Sequence, residues 1–323
     1  MAKFKLAQYW AAACGGCDVA VLDVHEKILD IAEAAELVFW PIALDFKIKD
    51  VEAMEDGSID VCLYNGAVRN SEQKHIAELL RKKSKVMIAF GACACYGGIP
   101  GLANFSNRNE IFNTVYKETL STVNPDSTFP KPTSNVPEGE LTIPEFFNTV
   151  KTLDQVVKVE YYIPGCPPTP KTIMTAIEAI INNELPPVGS TLAGKKTLCD
   201  ECPRVKEERK VKKFYRPHEI VPEPELCLLE QGIICYGPAT RSGCESRCIN
   251  VNMPCRGCYG PAEGVIDMGA KMLSAVGSII DSTDEDEIRR IVAEVEDPAG
   301  LFYRFNLPAS ILHRKTMKGV KAS

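Results

Sequence analysis

Cysteine is the residue type that gives this sequence most of its chemical potential. The chain of 323 residues contains 14 cysteines, several of them in Cys-x-x-Cys pairs. Residues 1–5 lack the apolar core of an export signal and a twin arginine, which predicts a cytoplasmic chain. Cytoplasmic thiols stay reduced, so disulfides are a poor explanation for this number of cysteines. Soft thiolates are therefore predicted to bind metal.

Four cysteines of the first half lie in turns that directly follow predicted strands. The apolar runs 4–10, 85–90 and 156–163 predict strands, and helices are predicted over 18 to about 36 and over 169–182. Because the carboxyl ends of parallel strands lie at one edge of a sheet, these turns can bring four thiolates to one place. The four are Cys14, Cys17, Cys93 and Cys166. Four Cys ligands suit a 4Fe–4S cluster, and structural zinc is the alternative.

Three other residues of the first half need a separate interpretation. Cys95 shares the turn of Cys93 and could compete with it as the ligand. Cys62 lies among the apolar residues of a predicted strand over 59–64 and is expected to be a small buried hydrophobe. Asp18 is expected to complement the positive N-terminal end of the helix that it begins, and assistance to proton transfer is the alternative.

The second half contains a segment of Cys, Pro and Gly with few long apolar runs. Its eight cysteines lie between positions 199 and 258 and divide into two sets of four. The compact set has the spacing Cys-x₃-Cys-x₆-Cys-x₂-Cys and comprises Cys244, Cys248, Cys255 and Cys258. The remaining set comprises Cys199, Cys202, Cys227 and Cys235. We expect this segment to depend on metal for folding, with zinc as the alternative to iron–sulfur clusters at each site.

The elements around these cysteines alternate between strand and helix. Further strands are predicted over 37–40 and 59–64, and a helix over 71–83 with Ser71 as its cap. The alternation predicts an α/β fold with a doubly wound parallel sheet. Residues 119–155, rich in Pro, Thr, Ser and Asn, read as a long surface insertion, and residues 183–194 read as a domain linker. Helices are expected over 262–280 and 284–295, the second capped by Asp284.

Composition and motifs exclude several functional classes. A formal net charge of −6 argues against a nucleic-acid partner. Apolar runs never approach the roughly 18 to 20 residues that span a bilayer, so no membrane span is expected. The turns lack the glycine-rich fingerprints of nucleotide sites, and thiols stand where a flavin would need hydroxyl and amide donors, so neither cofactor is expected on this chain. With no catalytic constellation in view, the chain is expected to carry electrons rather than to make or break bonds.

Taken together, the cysteine motifs resemble those of the small subunit of NiFe hydrogenases over nearly the whole chain. The turns of Cys14, Cys93 and Cys166 resemble its proximal-cluster motifs. Residues 199–204 and the turns of Cys227 and Cys235 resemble its distal-cluster motifs, and Cys244, Cys255 and Cys258 match its medial-cluster cysteines. The resemblance implies a flavodoxin-like domain over 1–185 for the proximal cluster. It implies a smaller, loop-rich and helical iron–sulfur domain over 195–323 for the medial and distal clusters, and a partner large subunit that holds the Ni–Fe centre.

Departures from the family pattern refine these expectations. Cys199 stands where the family often has His, and Cys248 lies about where many members have Pro beside a 3Fe–4S cluster, so three 4Fe–4S clusters are expected. Within the family the chain most resembles the methyl-viologen-reducing group of methanogens, which implies an iron–sulfur adaptor subunit and heterodisulfide reductase as partners. The deazaflavin-reducing or another cytoplasmic group is the alternative. A zinc-stabilised scaffold without a redox role is the alternative from another functional class.

Overall fold

A sheet of five parallel strands lies at the centre of the computed structural model, which describes residues 3–316. The strands of these residues are β1 (Phe4–Trp10), β2 (Ala35–Phe39), β3 (Ile59–Asn65), β4 (Val68–Asn70), β5 (Ser84–Phe90), β6 (Thr133–Val136), β7 (Gly139–Thr142), β8 (Phe146–Lys151) and β9 (Tyr161–Ile163). The α-helices are α1 (Gly16–Leu22), α2 (Ile28–Ala34), α3 (Ile48–Ala53), α4 (Ser71–Lys83), α5 (Gly91–Tyr96), α6 (Arg108–Asn113), α7 (Pro170–Ile181), α8 (Arg247–Asn250), α9 (Met268–Ile279), α10 (Glu285–Ala293) and α11 (Pro298–Phe302).

The strand order of the central sheet is β2-β1-β3-β5-β9, with every pair parallel. This order is the 2-1-3-4-5 order of flavodoxin-like folds. Successive residues of a strand point to opposite faces, and here both faces are apolar: Tyr64 and Met87 belong to one buried cluster, and Leu63 and Ile88 to the other. Helix α4 covers the first face and α7 the second. The predicted doubly wound α/β fold is therefore confirmed.

Several predicted bounds are wrong, and long-range contacts explain the differences. The helix predicted over 18–36 is broken after Leu22, and its last residues belong to β2 because Ala35 pairs with Phe4 of β1. The strand predicted over 156–163 is reduced to β9, the part that pairs with β5.

The cap of α4 and the start of the helix predicted over 262–280 also differ from the prediction. Asn70 rather than Ser71 caps α4, since its side chain accepts from the Gln73 N–H at 2.8 Å. The helix predicted over 262–280 begins at Met268, after its cap Asp267. The cap predicted for the following helix is confirmed, because the Asp284 side chain accepts from the Glu287 N–H at 2.8 Å.

The predicted insertion and linker are more ordered than their composition indicates. The insertion carries the exposed hairpin β6–β7, and its last strand, β8, pairs antiparallel with β4. Part of the linker continues the sheet beyond β9: the Tyr162 N–H donates to the Ser190 carbonyl at 3.2 Å, and the Leu192 N–H donates to the Tyr162 carbonyl at 2.8 Å. Backbone pairing with an edge strand satisfies groups that a free linker would leave to water.

The second half has its own apolar cluster, and its last described residues return to the first half. Phe302 and Tyr303 are buried in that cluster, whereas Phe305 packs against the apolar cluster of the central sheet. Pro308 accepts a hydrogen bond from the Gln155 side chain at 2.8 Å. The division into domains 1–185 and 195–323 stays a prediction, and residues 1–2 and 317–323 at its ends lie outside the described residues. Within residues 3–316, no helix has both the length and the apolar character needed to cross a membrane.

Candidate metal centres

The proximal quartet (Cys14, Cys17, Cys93 and Cys166) lies at the carboxyl edge of the central sheet. Cys14 and Cys17 lie at the start of α1, and Cys93 lies in α5, which directly follows β5. The Ala92 N–H donates to the Gly165 carbonyl at 2.7 Å, which joins the Cys93 turn to the Cys166 turn. The thiols lie close together, because Cys14 and Cys166 raise the pKa of Cys93, and Cys14 raises that of Cys166, in each case after the larger effect of desolvation. Cys17 and Cys93 are buried, whereas Cys14 and Cys166 are exposed.

Two glycines leave the space that the proximal sulfurs occupy. A Cβ built on Gly91 would lie 2.3 Å from Cys17 Sγ, and one built on Gly98 would lie 2.5 Å from Cys93 Sγ. Both glycines have positive φ angles, +85° and +55°, which L side chains rarely adopt. The backbone therefore approaches the sulfurs more closely than any other residue would permit. Four thiolates around a glycine-lined space are a donor set that fits a 4Fe–4S cluster.

The two remaining cysteines of the first half lie inside the apolar core. Cys62 is 0% exposed in β3, and desolvation raises its pKa to about 12. Cys95 is also buried, and its sulfur lies 3.2 Å from the Ala89 carbonyl oxygen and 3.5 Å from that of Ile163. These contacts hold the Cys95 sulfur among backbone carbonyls of β5 and β9, so Cys93 is the better candidate ligand of that turn.

The distal quartet (Cys199, Cys202, Cys227 and Cys235) surrounds a cavity of about 190 Å³. Gly237 and Pro238 line the same cavity, and a Cβ on Gly237 would lie 2.8 Å from Cys199 Sγ. Arg204 fixes the backbone directly before Cys227, because its guanidinium donates to the Leu226 carbonyl at 2.8 Å. The arrangement again combines four sulfurs with a glycine that leaves them room.

The medial quartet (Cys244, Cys248, Cys255 and Cys258) lines a second cavity, of about 430 Å³. Tyr259 fixes one side of it: its hydroxyl accepts from the Thr169 N–H at 3.0 Å, at the start of α7. This bond ties the Cys258 turn to the segment that carries Cys166, which lines the same cavity. Among residues 3–316, no three or more His, Cys, Asp or Glu side chains are arranged as the ligands of a single metal ion.

Ligands of neighbouring quartets lie close together. Cys166 of the proximal quartet lines the medial cavity, which places the proximal quartet beside the medial quartet. The Cys255 N–H donates to Cys235 Sγ at 3.3 Å, which joins the medial quartet to the distal quartet. The three sites therefore follow one another in the order proximal, medial, distal.

Burial raises the pKa of sulfurs in all three quartets. The pKa of Cys93, of Cys235 and of Cys258 is raised to about 12, mainly by desolvation. Neighbouring thiols contribute to these values, because two negative charges at short distance disfavour each other. Without metal these thiols are protonated at neutral pH. Metal binding must therefore displace protons and compensate for the burial of thiolates.

Two carboxylates near the sulfurs have roles that spacing does not reveal. Asp18 is 3% exposed and accepts hydrogen bonds from three buried side chains: Gln8 at 2.7 Å, Trp40 at 3.0 Å and Asn65 at 2.6 Å. Asp18 therefore fixes the first turn of α1 to residues in or directly after β1, β2 and β3. It also complements the positive start of this helix. Glu201 lies between Cys199 and Cys202. Its carboxylate accepts hydrogen bonds from backbone N–H groups of the loop that carries Cys244 and Cys248. Its sequence neighbours give no signal of this contact.

Comparison with known proteins identifies the family. Residues 14–180 match the family described as NADH ubiquinone oxidoreductase, 20 Kd subunit. An iron-sulfur subunit of the F420-non-reducing hydrogenase of Archaeoglobus profundus is 42% identical over 97% of this chain and 99% of its own. A subunit of the F420-non-reducing hydrogenase of Methanothermobacter thermautotrophicus is 36% identical over 98% of each chain.

A solved structure shares the fold. The [NiFeSe] hydrogenase of Desulfovibrio vulgaris Hildenborough matches with a TM-score of 0.51 over 81% of this chain and 94% of that chain, at 18% identity. This likeness concerns the fold alone, whereas the identity to the archaeal relatives extends over nearly the full length of both sequences. The chain thus belongs to the same family as these subunits of F420-non-reducing hydrogenases, and it is a subunit of an oxidoreductase.

Proposed function

We propose that this chain holds three 4Fe–4S clusters, one on each Cys quartet, and conducts electrons away from a Ni–Fe centre in a large subunit. Oxidation of one H₂ there yields two protons and two electrons, and the electrons leave through this chain one at a time. When bound, a 4Fe–4S cluster exchanges single electrons with its neighbours. The domains that hold the clusters are residues 1–185 for the proximal and 195–323 for the medial and distal clusters.

The observation that carries this proposal is the closeness of the ligands of successive quartets. Cys166 of the proximal quartet lines the medial cavity, and the Cys255 N–H donates to the Cys235 sulfur. A scaffold with three independent zinc sites has no need for ligands of different sites to lie side by side. A relay needs its sites close together, because electrons must pass between neighbouring sites. The Cys255 N–H also supplies a donor to the Cys235 sulfur, and such bonds tune cluster potentials.

The exposed edge beside the proximal quartet supports a large partner subunit at this end. Cys14 and Cys166 are exposed, and four apolar side chains in or beside the segments that carry the proximal cysteines are exposed as well. These are Trp10, Val19, Leu22 and Ile99. Exposed apolar side chains around one site favour an interaction surface there. The large subunit that would cover it is the source of the electrons, so the proximal quartet is the point of entry.

The electron acceptor is proposed from the relatives and the family resemblance. The matched archaeal subunits are named as parts of F420-non-reducing hydrogenases. Because F420 is the deazaflavin carrier, these names favour the methyl-viologen-reducing group over the deazaflavin-reducing group. The proposed path therefore leads from the distal quartet to an iron–sulfur adaptor subunit and on to heterodisulfide reductase. The complex is proposed to work in the cytoplasm.

Anaerobic purification of the intact hydrogenase, followed by metal analysis and EPR, tests the proposal. We expect about twelve irons per copy of this chain, as three 4Fe–4S clusters require, after subtraction of the iron held by the other subunits. Replacing one ligand of a quartet should remove the EPR signal of one cluster. Cys17→Ala should remove the proximal signal, Cys255→Ala the medial signal and Cys202→Ala the distal signal. Cys95→Ala is the matched control and should leave the iron content unchanged. A colourless chain that contains zinc would end the relay proposal.

A further inference from the structure

The loop that carries Cys244 and Cys248 has a strained backbone. Gly243 has a φ of +113°, and the next left-handed residues, Glu245 and Ser246, have φ angles of +58° and +52°. Two consecutive non-glycine residues in this region are unfavourable. Such a loop persists only if contacts from elsewhere in the chain hold it. The contacts that Glu201 makes with this loop are well placed to do so.

Glu201 accepts hydrogen bonds from two backbone N–H groups of this loop. Its Oε2 accepts from the Gly243 N–H at 2.9 Å, and its Oε1 accepts from the Ser246 N–H at 3.3 Å. The Ser246 hydroxyl donates to the Glu201 carbonyl at 3.3 Å, and Ser246 is only 2% exposed. Every one of these bonds spans more than forty residues of sequence.

The position of Glu201 connects two quartets. It stands between Cys199 and Cys202, both distal ligands by the proposal above. Its carboxylate also lies 3.8 Å from the sulfur of Cys244, a medial ligand. Glu201 is therefore placed to act on the medial site both through the backbone and through its charge.

We infer that Glu201 is a positioning residue for the medial cluster: from the distal turn it holds the 243–248 loop in the conformation in which Cys244 and Cys248 face the medial cavity. This inference rests on the proposed three-cluster function. Its consequence is that the medial site is completed only after the Cys199–Cys202 turn has folded. A second consequence is that the charge of Glu201 lowers the reduction potential of the medial cluster relative to a neutral residue.

Three variants of the intact hydrogenase test the inference by metal analysis and redox-titrated EPR. Glu201→Ala should lose about a third of the iron of this chain, with loss of the medial signal alone. Adding Glu245→Gly to Glu201→Ala should restore part of that iron, because glycine adopts the left-handed backbone without strain. Glu245→Ala alone is the matched control: it removes an exposed carboxylate that pairs with Lys171 and should keep all the iron.

The neutral variant Glu201→Gln separates the role of the charge from that of the fold. It should retain the medial cluster and raise its midpoint potential, while the potentials of the proximal and distal clusters stay unchanged. Full iron and an unchanged medial signal in Glu201→Ala would overturn the inference. If Glu201→Ala fails to fold, Glu201→Gln decides, and an unchanged medial potential would overturn it. Wild-type protein without three clusters would instead refute the proposed function, so the two failures are distinguishable.

Discussion

Substitution of Gly91 by alanine tests the close approach of backbone and sulfur at the proximal quartet. Gly91 follows β5 with a φ of +85°, and its added Cβ would lie 2.3 Å from Cys17 Sγ. Gly57 is a matched control with a φ of +69°, where an added Cβ meets no non-neighbouring atom of the described residues within 4 Å. Both substitutions therefore introduce a left-handed alanine, and only Gly91→Ala displaces a sulfur.

The expected losses in the free energy of unfolding have two sources, the left-handed backbone and the displacement of the Cys17 sulfur. A left-handed L residue costs about 1–2 kcal/mol at either position. Gly91→Ala adds an overpacking cost of about 1–3 kcal/mol, because the Cys17 sulfur must move. The free energy of unfolding should therefore fall by about 1–2 kcal/mol for Gly57→Ala and by about 2–5 kcal/mol for Gly91→Ala. The displaced sulfur should also prevent binding of the proximal cluster.

Thermal unfolding and iron analysis of the two variants, purified anaerobically in the intact complex, provide the measurement. Each kcal/mol lowers Tm by roughly 2–4 °C for a domain of this size. Gly91→Ala should show the larger shift and the loss of about four irons, and Gly57→Ala should keep all its iron. Equal Tm shifts, with full iron in both variants, would refute the interpretation that Gly91 is needed to leave room for the sulfur.

Three further predictions concern individual side chains. Cys62→Ala should leave the iron content intact and lower the free energy of unfolding by on the order of 1 kcal/mol, because it removes only a buried sulfur; loss of iron would contradict its role in the core. Cys248→Pro should convert the medial cluster to a 3Fe–4S form with a distinct EPR signal when oxidised, since the first turn of α8 tolerates proline; an unchanged spectrum would exclude Cys248 as a ligand. Asp18→Ala leaves three buried donors unpaired, at about 1–3 kcal/mol each. Denaturant unfolding should therefore show a loss of more than about 3 kcal/mol in the free energy of unfolding, and a smaller loss for Asp18→Asn. Equal losses in the two variants would show that the acceptor oxygens are unimportant.

The parts of the fold that depend on local pattern could be predicted from the sequence. The bounds of β1 and α4 agree with the apolar runs and helical periodicity that predict them. The gathering of the proximal sulfurs also follows, because parallel strands present their carboxyl ends at one edge. The break after Leu22 and the start of β2 at Ala35 could not be predicted, since pairing with β1 overrides the local helical pattern.

Contacts across long stretches of chain account for the remaining differences. The three donors to Asp18 come from positions 8, 40 and 65. Glu201 reaches a loop more than forty residues away. Such partners are brought together only by the tertiary fold, and no spacing rule links them. The motifs therefore reveal the candidate ligands, whereas the residues that position the ligands become visible only in three dimensions.

The return of the chain end to the first half has a consequence for biosynthesis. The Gly98 N–H, five residues after Cys93, donates to the Phe305 carbonyl at 3.0 Å, and the Asn104 side chain donates to the His313 carbonyl at 2.9 Å. Domains generally fold from the N-terminus as the ribosome releases them. Here the segment beside Cys93 obtains these two bonds only after Phe305 and His313 have been synthesised. The first half is therefore completed only after the cysteines of the second half have left the ribosome, when residues 305–313 reach the segment that follows Cys93.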